Sequence, residues 1–462
     1  MKPLALVLLP GLLIRAALLP QTYGGDFGMW SLTAAATLRG QDTYLHTVLP
    51  IARAGPYAYF PLYLYILLPL KWLALHTALA GLRLGTLPVV AWAAGGVDRT
   101  MALGTNPAYV VLGKLPVVVG DVVVALSLAG ALRRAGLGPR AQALGAALFF
   151  LNPLVLYNGA FYGRFDSLCL AALMLAWRRL ERPAPSDRGV ALALWYGLAV
   201  TLKTFPIFLL PYLVVRAGLR RGLRAALSAV ALPALVSLPY LLDNARRFIY
   251  IVFLYDTAKG PRQFSWQVAL PRLLDAHAIK TVGDVLLALF ALALIAFIPA
   301  APGEEERSRG ASPGSAPASE TSPFRTLGEW GRRSARGVRA QFEARRGSEV
   351  RDPYTYAAVA YALFLLLSKV VYEQYFLWPL PFLIVLAVRD RARVAALLLA
   401  VLSVAGPLAN GWIHPFGYRP GPALWLSALI ASVLVAFALS VLARSRRAAR
   451  LPRSEAVPST MA

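Results

Sequence analysis

Residues Ser368 to Pro381 read SKVVYEQYFLWPLP. This stretch sets a lysine, a glutamate and a glutamine between two long apolar segments, where polar groups are costly. A charged side chain at membrane depth costs a few kcal/mol or more, so one kept there marks a site by default. Two other apolar boundaries carry the same kind of insert: YNGAFYGRFDS at Tyr157 to Ser167 and LKTFP at Leu202 to Pro206. Long apolar runs separated by short polar inserts describe helices in lipid with chemistry collected at their ends.

Composition agrees. The chain has 462 residues, 58% of them hydrophobic, and a mean hydropathy of +0.59. Apolar stretches near the length of a membrane span recur throughout. Backbone groups in lipid must bond internally, and no alternating strand pattern is present. The expected fold is therefore all-α, a polytopic transmembrane helical bundle. The single cysteine, Cys169, excludes an intrachain disulfide and a cysteine-based metal site.

A net charge of +25 would suggest nucleic acid in a soluble protein. The arginines instead cluster after apolar segments, at Arg133/Arg134/Arg140, Arg178/Arg179/Arg182/Arg188, Arg216/Arg220/Arg221/Arg224, Arg389/Arg391/Arg393 and Arg444/Arg446/Arg447/Arg450. The connections between these clusters are poorer in arginine. That alternation is the positive-inside pattern, so the clusters read as cytoplasmic and no nucleic-acid partner is needed.

Pro3 to Pro20 resembles a secretory signal, but Arg15 interrupts it and no small-residue cleavage site follows, so it reads as an uncleaved first span. Residues 21–57 then form a first outer loop, where Trp30, Leu32, Leu38 and Leu49 suggest short helices on the membrane surface. Later candidate spans are 58–77, 79–96, 109–132, 141–157, 163–180, 189–203, 205–216, 224–242, 280–300, 353–368, 374–388, 393–409 and 421–443. Segment 79–96 is Gly-rich and interrupted, and 205–216 is too short to cross unless broken or assisted. With both termini read as cytoplasmic the crossings are even in number, 12 to 14 with 14 preferred. The expected organisation is a catalytic bundle over 1–301, a linker over 302–352, C-terminal membrane helices over 353–443 and a basic tail over 444–462. The linker begins with a Pro/Gly/Ser/Glu-rich stretch. It continues into Phe324 to Arg346, which reads equally as an amphipathic surface helix and as a solvated basic connection.

This orientation gathers polar groups on the outer side: Asp26, Lys114, Arg164 with Asp166, Lys203, and Lys369 with Glu373 and Gln374. The loop from Asp243 to Lys280 adds Asp256, Lys259, Arg262 and Gln263. One carboxylate facing several cations at a bilayer edge suits transfer from a lipid-linked sugar phosphate. The cations would hold the phosphate while the carboxylate takes the acceptor's proton. Each residue also has a bland reading. Asp26 in GGDFG is by itself more readily a turn residue than a base. Lys203 can snorkel from a helix end. Lys114 and Asp121, seven residues apart on one helical face, can neutralise each other, and Glu373 can pair with Lys369. Asp42, after Gly40–Gln41, is the rival to Asp26 and equally suits a turn or a cap.

Taken in order, YFPLYLYILLPL (Tyr59 to Leu70), KLPVVVGDVVVA (Lys114 to Ala125), FLNPLVLYNGAFYGRFDSL (Phe150 to Leu168), LKTFPIFLLP (Leu202 to Pro211) and SKVVYEQYFLWPLP resemble the GT-C membrane glycosyltransferases. The likeness is greatest to polyprenyl-phosphate-mannose-dependent mannosyltransferases, both the type that adds the first mannose of GPI anchors and bacterial α-mannosyltransferase relatives. It covers most of residues 20–390. The resemblance implies an inverting enzyme of the plasma membrane, acting on its non-cytoplasmic face with a polyprenyl-phosphate sugar donor and a glycan or glycolipid acceptor. The family's first-loop acid falls on Asp26. Eukaryotic relatives carry an Asp-x-Asp-like pair there, and this chain has one Asp, a poor stand-alone site for Mg²⁺ or Mn²⁺. No residue is assigned to a metal, and dependence on a divalent cation stays open. RQFSW (Arg262 to Trp266) is similar to a later outer-loop segment of the family and adds Arg262 to the phosphate-binding candidates Lys203, Lys369 and Arg164.

Two other functions fit a multi-span chain. A lipid-linked glycan polymerase or ligase would use a large outer loop rich in arginine and histidine, whereas the largest loop here reads as inside. A secondary transporter would show repeated halves and midplane charges. No repeat is evident, and the charges lie near segment ends.

Overall fold

Proline and polar caps set where the helices begin. We describe the protein from a computed structural model that defines residues 2–20, 25–40, 44, 57–77, 107–181, 189–217, 219–254, 262–267, 276–296, 352–368, 370–412 and 420–450. In chain order the helices are α1 (Lys2–Leu18), α2 (Gly25–Leu38), α3 (Leu62–His76), α4 (Pro107–Arg134), α5 (Pro139–Phe150) and α6 (Pro153–Leu156). They continue as α7 (Asp166–Leu180), α8 (Val190–Leu202), α9 (Leu210–Ala217), α10 (Leu219–Val236), α11 (Leu238–Ile249) and α12 (Ala276–Ala296). The last four are α13 (Pro353–Leu367), α14 (Leu380–Arg389), α15 (Arg393–Trp412) and α16 (Pro420–Arg450). The all-α expectation holds. Prolines open α5, α6, α11, α13 and α14, where the missing N–H costs nothing. Asn152 caps α6 by accepting from Leu154 N at 2.9 Å, and Asp352 caps α13 by accepting from Thr355 N at 2.8 Å.

The interior is built around α4, α7 and α8, with α5, α10 and α14 packed against them. Leu170, Leu173 and Trp177 of α7, Tyr196 of α8 and Phe382 and Ile384 of α14 are buried there. At Gly120 of α4 an added Cβ would stand 2.8 Å from Leu168 N, so the helix meets the start of α7 backbone to backbone. The outer surface is the reverse of a soluble protein's. α1, α10, α11 and α12 turn large apolar residues outward, with Leu6 at 75% exposure and Leu242 at 78%. Such a surface is stable where lipid replaces water.

The number of crossings differs from expectation. Among the described residues, Ala108–Arg134 and Leu426–Arg444 are long and apolar enough to span a membrane. The count rises to four if each of two bent pairs is one span: Pro139–Phe150 with Pro153–Phe161, bent by 46°, and Arg220–Val236 with Leu238–Leu254, bent by 94°. Six further apolar helices are shorter, between 10 and 17 residues. The physical cause is the polar inserts. They end helices early, and two of them fold as 3₁₀ turns, Phe205–Leu209 before α9 and Glu373–Leu377 before α14. Where a span was expected at 205–216, the 3₁₀ turn runs into the eight-residue α9, and Phe205–Ala217 is one of the shorter apolar helices. Segment 79–96 and most of the 302–352 linker lie outside the described residues.

The first loop also differs. Among its described residues is the 14-residue helix α2, whose Phe27, Trp30 and Ala34 are buried in the protein rather than laid on a membrane surface. Trp30 meets Tyr63 and Phe165 edge to face, with ring centroids 5.4 and 4.9 Å apart. Leu49 lies outside the described residues. Among the described residues there is also one strand pairing that no alternation announced. Arg262–Gln263 pairs in parallel with Val370–Val371.

Candidate functional site

Four separate inserts meet at one end of the bundle. Asp26 stands in the first turn of α2 rather than in an open Gly-rich turn, and a carboxylate there is favoured by the helix dipole. Its Oδ2 accepts from Arg164 Nε at 3.0 Å. The same guanidinium donates through one terminal nitrogen to Asn158 Oδ1 at 3.0 Å and to Glu373 Oε1. Arg164 thereby ties the first loop to the SKVVYEQ insert. Glu373 is almost fully buried, whereas Asp26 remains 35% exposed.

Local backbone explains how Arg164 reaches this position. After α6 the chain widens into a π-turn, Tyr157–Phe161, a distortion often found at functional sites. Arg164 N closes that turn on Asn158 O at 2.8 Å. Gly163 has φ +79°, and an added Cβ would lie 2.8 Å from the Phe27 ring. Only glycine takes that conformation so close to an aromatic wall without strain.

One residue further on, Phe165 stacks on Tyr63 at 4.1 Å, and Asp166 opens α7. Asp166 Oδ1 accepts from Lys203 Nζ at 2.6 Å and from Trp378 Nε1 at 2.8 Å. The Lys203 ammonium also lies 5.2 Å from the Phe165 ring and 5.4 Å from that of Tyr59. Cation–π attraction at such distances adds to the ion pair. Trp378 stacks on Phe205 at 4.1 Å, which locks the LKTFP insert against the start of α14. Lys203 is thus a buried, fully engaged cation rather than a snorkelling one.

The RQFSW segment joins the same end. Beside the parallel pairing, Ser265 Oγ donates to Ser368 O at 2.9 Å, Trp266 Nε1 to Leu366 O at 2.7 Å and Gln267 Nε2 to Leu367 O at 3.0 Å. These bonds seat the backbone of Arg262 beside Val370. Gln374 is buried in the 3₁₀ turn that carries Glu373. Lys369 and Asp42 lie outside the described residues.

Lys114 does something else. Its Nζ donates to Leu19 O at 3.0 Å, Ala160 O at 2.9 Å and Phe161 O at 2.8 Å. It caps the end of α1 and the end of the π-turn together. Asp121 pairs not with Lys114 but with Arg15, Nε to Oδ2 at 2.9 Å. The arginine that interrupts the first apolar run is therefore the buried partner that pins α1 to α4. Lys71 is a further buried cation, donating to Ser31 Oγ at 2.8 Å and lying 4.4 Å from the Tyr109 ring.

Asn158, Tyr59 and Trp378 belong to the site and were not singled out from the sequence. Asn158 and Trp378 sit inside the polar inserts themselves, so the signal was present in the neighbours of Arg164 and Glu373. In the described part of the site, three carboxylates (Asp26, Asp166 and Glu373) face two cations (Arg164 and Lys203). Among the described residues no group of three or more His, Cys, Asp or Glu side chains is arranged to hold a metal ion. The arrangement offers a half-exposed carboxylate, oriented by a guanidinium, above a tightly paired ionic floor.

No family model matches this chain. No curated protein matches it either.

Proposed function

We propose that the chain is a multi-pass GT-C-type glycosyltransferase of the plasma membrane, with 12 to 14 crossings and its site on the non-cytoplasmic face. It transfers a sugar, mannose by resemblance, from a polyprenyl-phosphate donor to a glycan or glycolipid acceptor with inversion. The observation that supports this reading is the meeting of Asp26, Arg164 and Glu373 with the Lys203–Asp166 pair, drawn from four inserts distant in sequence. In this reading Asp26 takes the acceptor hydroxyl's proton as the new bond to the sugar forms, and the phosphate leaves with the pair of electrons from the old one. Arg164 orients Asp26 and reaches the donor phosphate. Lys203 is already neutralised by Asp166, so its part is to hold the floor of the site. Lys369 and Arg262 are the cations left to complete the phosphate contact.

The test is release of polyprenyl phosphate from a sugar-labelled polyprenyl-phosphate donor by the purified chain. Loss of a general base commonly costs about 10²–10⁴-fold in rate. Asp26→Asn is expected to fall in that range, and Asp42→Asn to stay near the parent rate. The reverse pattern moves the role to Asp42; activity in both variants removes the mechanism. A secondary transporter is the alternative, favoured by one observation: broken helices flank the ionic network at Tyr157–Phe161 and Phe205–Leu209. Transfer in detergent, where no two compartments exist, separates the two.

A further inference from the structure

The opposite end of the C-terminal helices holds a second site. α13 begins at the Asp352 cap and ends at the Ser368 insert; α14 begins beside Trp378 and ends at Arg389. Their far ends, with the start of α15 and the Phe437–Arg444 stretch of α16, line a cleft of about 420 Å³. At about 1.5 Å per residue, the length of α13 separates it from the Arg164 network by roughly 20 Å.

The cleft has an unusual charge layout for this chain. Arg389 donates to Asp352 Oδ1 at 2.8 Å and grips Asp390 with two nitrogens, at 2.6 and 2.8 Å. Those carboxylates are 23% and 33% exposed; Asp352 Oδ2 is also taken by Thr355 N and Oγ1, so Asp390 is the acid with more acceptor capacity left. Arg444 lines the other wall, is exposed, and pairs with no carboxylate among the described residues. The cleft therefore carries two guanidinia, Arg389 and Arg444, and two carboxylates, with no net charge, beside a basic stretch of sequence. Val441 and Phe437 line it about one and two turns before Arg444, on the face of α16 that is buried in the protein.

Arg444 opens the basic cluster Arg444/Arg446/Arg447/Arg450 that follows the apolar run of α16, and such a cluster belongs at headgroup depth. We propose that this cleft binds the zwitterionic headgroup of an aminophospholipid, with the phosphate on Arg444 and the primary ammonium on Asp390 and Asp352. A guanidinium suits the phosphate because it offers a fork of N–H donors. A primary ammonium suits the acids because it brings three donors, which a quaternary ammonium lacks. The glycerol and upper acyl carbons then lie along Phe437 and Val441. This inference rests on the membrane placement of α16 and is independent of the enzymatic reading.

The experiment uses the full chain purified in detergent. Equilibrium binding is measured for short-chain phosphatidylethanolamine, phosphatidylcholine and phosphatidylglycerol with identical acyl chains, and for free O-phosphoethanolamine. Phosphatidylethanolamine is expected to bind tightest. Arg444→Gln, an exposed position, is expected to weaken it about tenfold, the loss of one charge-assisted hydrogen bond. Asp390→Asn should narrow the gap between ethanolamine and choline lipids. Phosphatidylglycerol binding as tightly as phosphatidylethanolamine would mean that the surrounding arginines, not the cleft, select the lipid. An unchanged Arg444→Gln would remove the site. Free phosphoethanolamine binding as tightly as the lipid would make the ligand a solute. The order of the lipids on the parent chain tests the proposal even if a variant fails to fold.

Discussion

Arg164 is held by three acceptors, Asn158 in its own insert and Asp26 and Glu373 on two other parts of the chain, and that is the reason to expect a large effect from its removal. Glu373 is buried, so losing the guanidinium takes a counter-ion away from a buried charge. Breaking a buried pair from one side costs about 3–5 kcal/mol. Arg164→Met should therefore lower the thermal midpoint of the purified protein sharply, and a midpoint within a degree of the parent would show that the pairing carries no stability. Arg164→Lys should recover only part, because a point charge cannot serve Asp26 and Glu373 with one planar fork. Asp26→Asn removes a half-exposed partner and should leave the midpoint nearly unchanged. Lys114 makes a contrasting case. Lys114→Met orphans carbonyls of Leu19, Ala160 and Phe161, at about 1–3 kcal/mol for a buried group left unmade. It should destabilise the protein while leaving donor affinity per folded molecule intact; a selective loss of donor affinity would return Lys114 to the site. At this scale the sequence showed which residues were out of place but not their partners. Lys114 and Asp121 share a helical face, yet each is satisfied from elsewhere, Asp121 by an arginine 106 residues away. Spacing along one helix says nothing of what another helix brings.

Elements show the same division. Polar inserts between apolar runs were legible as helix ends, and helices stop at or near each of them, at Phe161, Leu202 and Leu367. What fills the gaps was not legible. The π-turn, the 3₁₀ turns and the two-residue parallel pairing arise from tertiary demands with no local pattern of their own. Gly163 is the point where that demand is sharpest, with a positive φ and the Phe27 ring against it. A β-carbon in left-handed backbone costs about 1–2 kcal/mol before any clash is counted. Gly163→Ala should push Phe27 and α2 away from the site and misplace Arg164, the next residue. The expected signature is a lowered thermal midpoint together with a larger loss of transfer than the midpoint explains. A variant with normal activity and stability would show that α2 tolerates displacement and that the Asp26–Arg164 contact is not required.

For the whole molecule, helical class and an apolar exterior followed from composition, while the number of crossings did not. Hydropathy counts apolar runs, but α8, α9 and α14 are too short to cross alone, and the described helices that pass by length are two to four. Orientation is a separate question, resting on arginine distribution. On the proposed orientation the linker around Ser312 is inside and the first loop outside. The chain lends itself to the measurement because its single cysteine, Cys169, is buried and should give little background. Arg39, at the exposed end of α2, is the outer reporter. In intact cells an impermeant maleimide should label Arg39→Cys and leave Ser312→Cys untouched until the membrane is opened. The mirror-image result would invert the protein in the membrane. It would then put Asp26, Arg164 and Glu373 in the cytoplasm, where a lipid-linked donor on the outer leaflet could not reach them. Labelling of both positions in sealed cells would instead break the even parity on which 14 crossings depend.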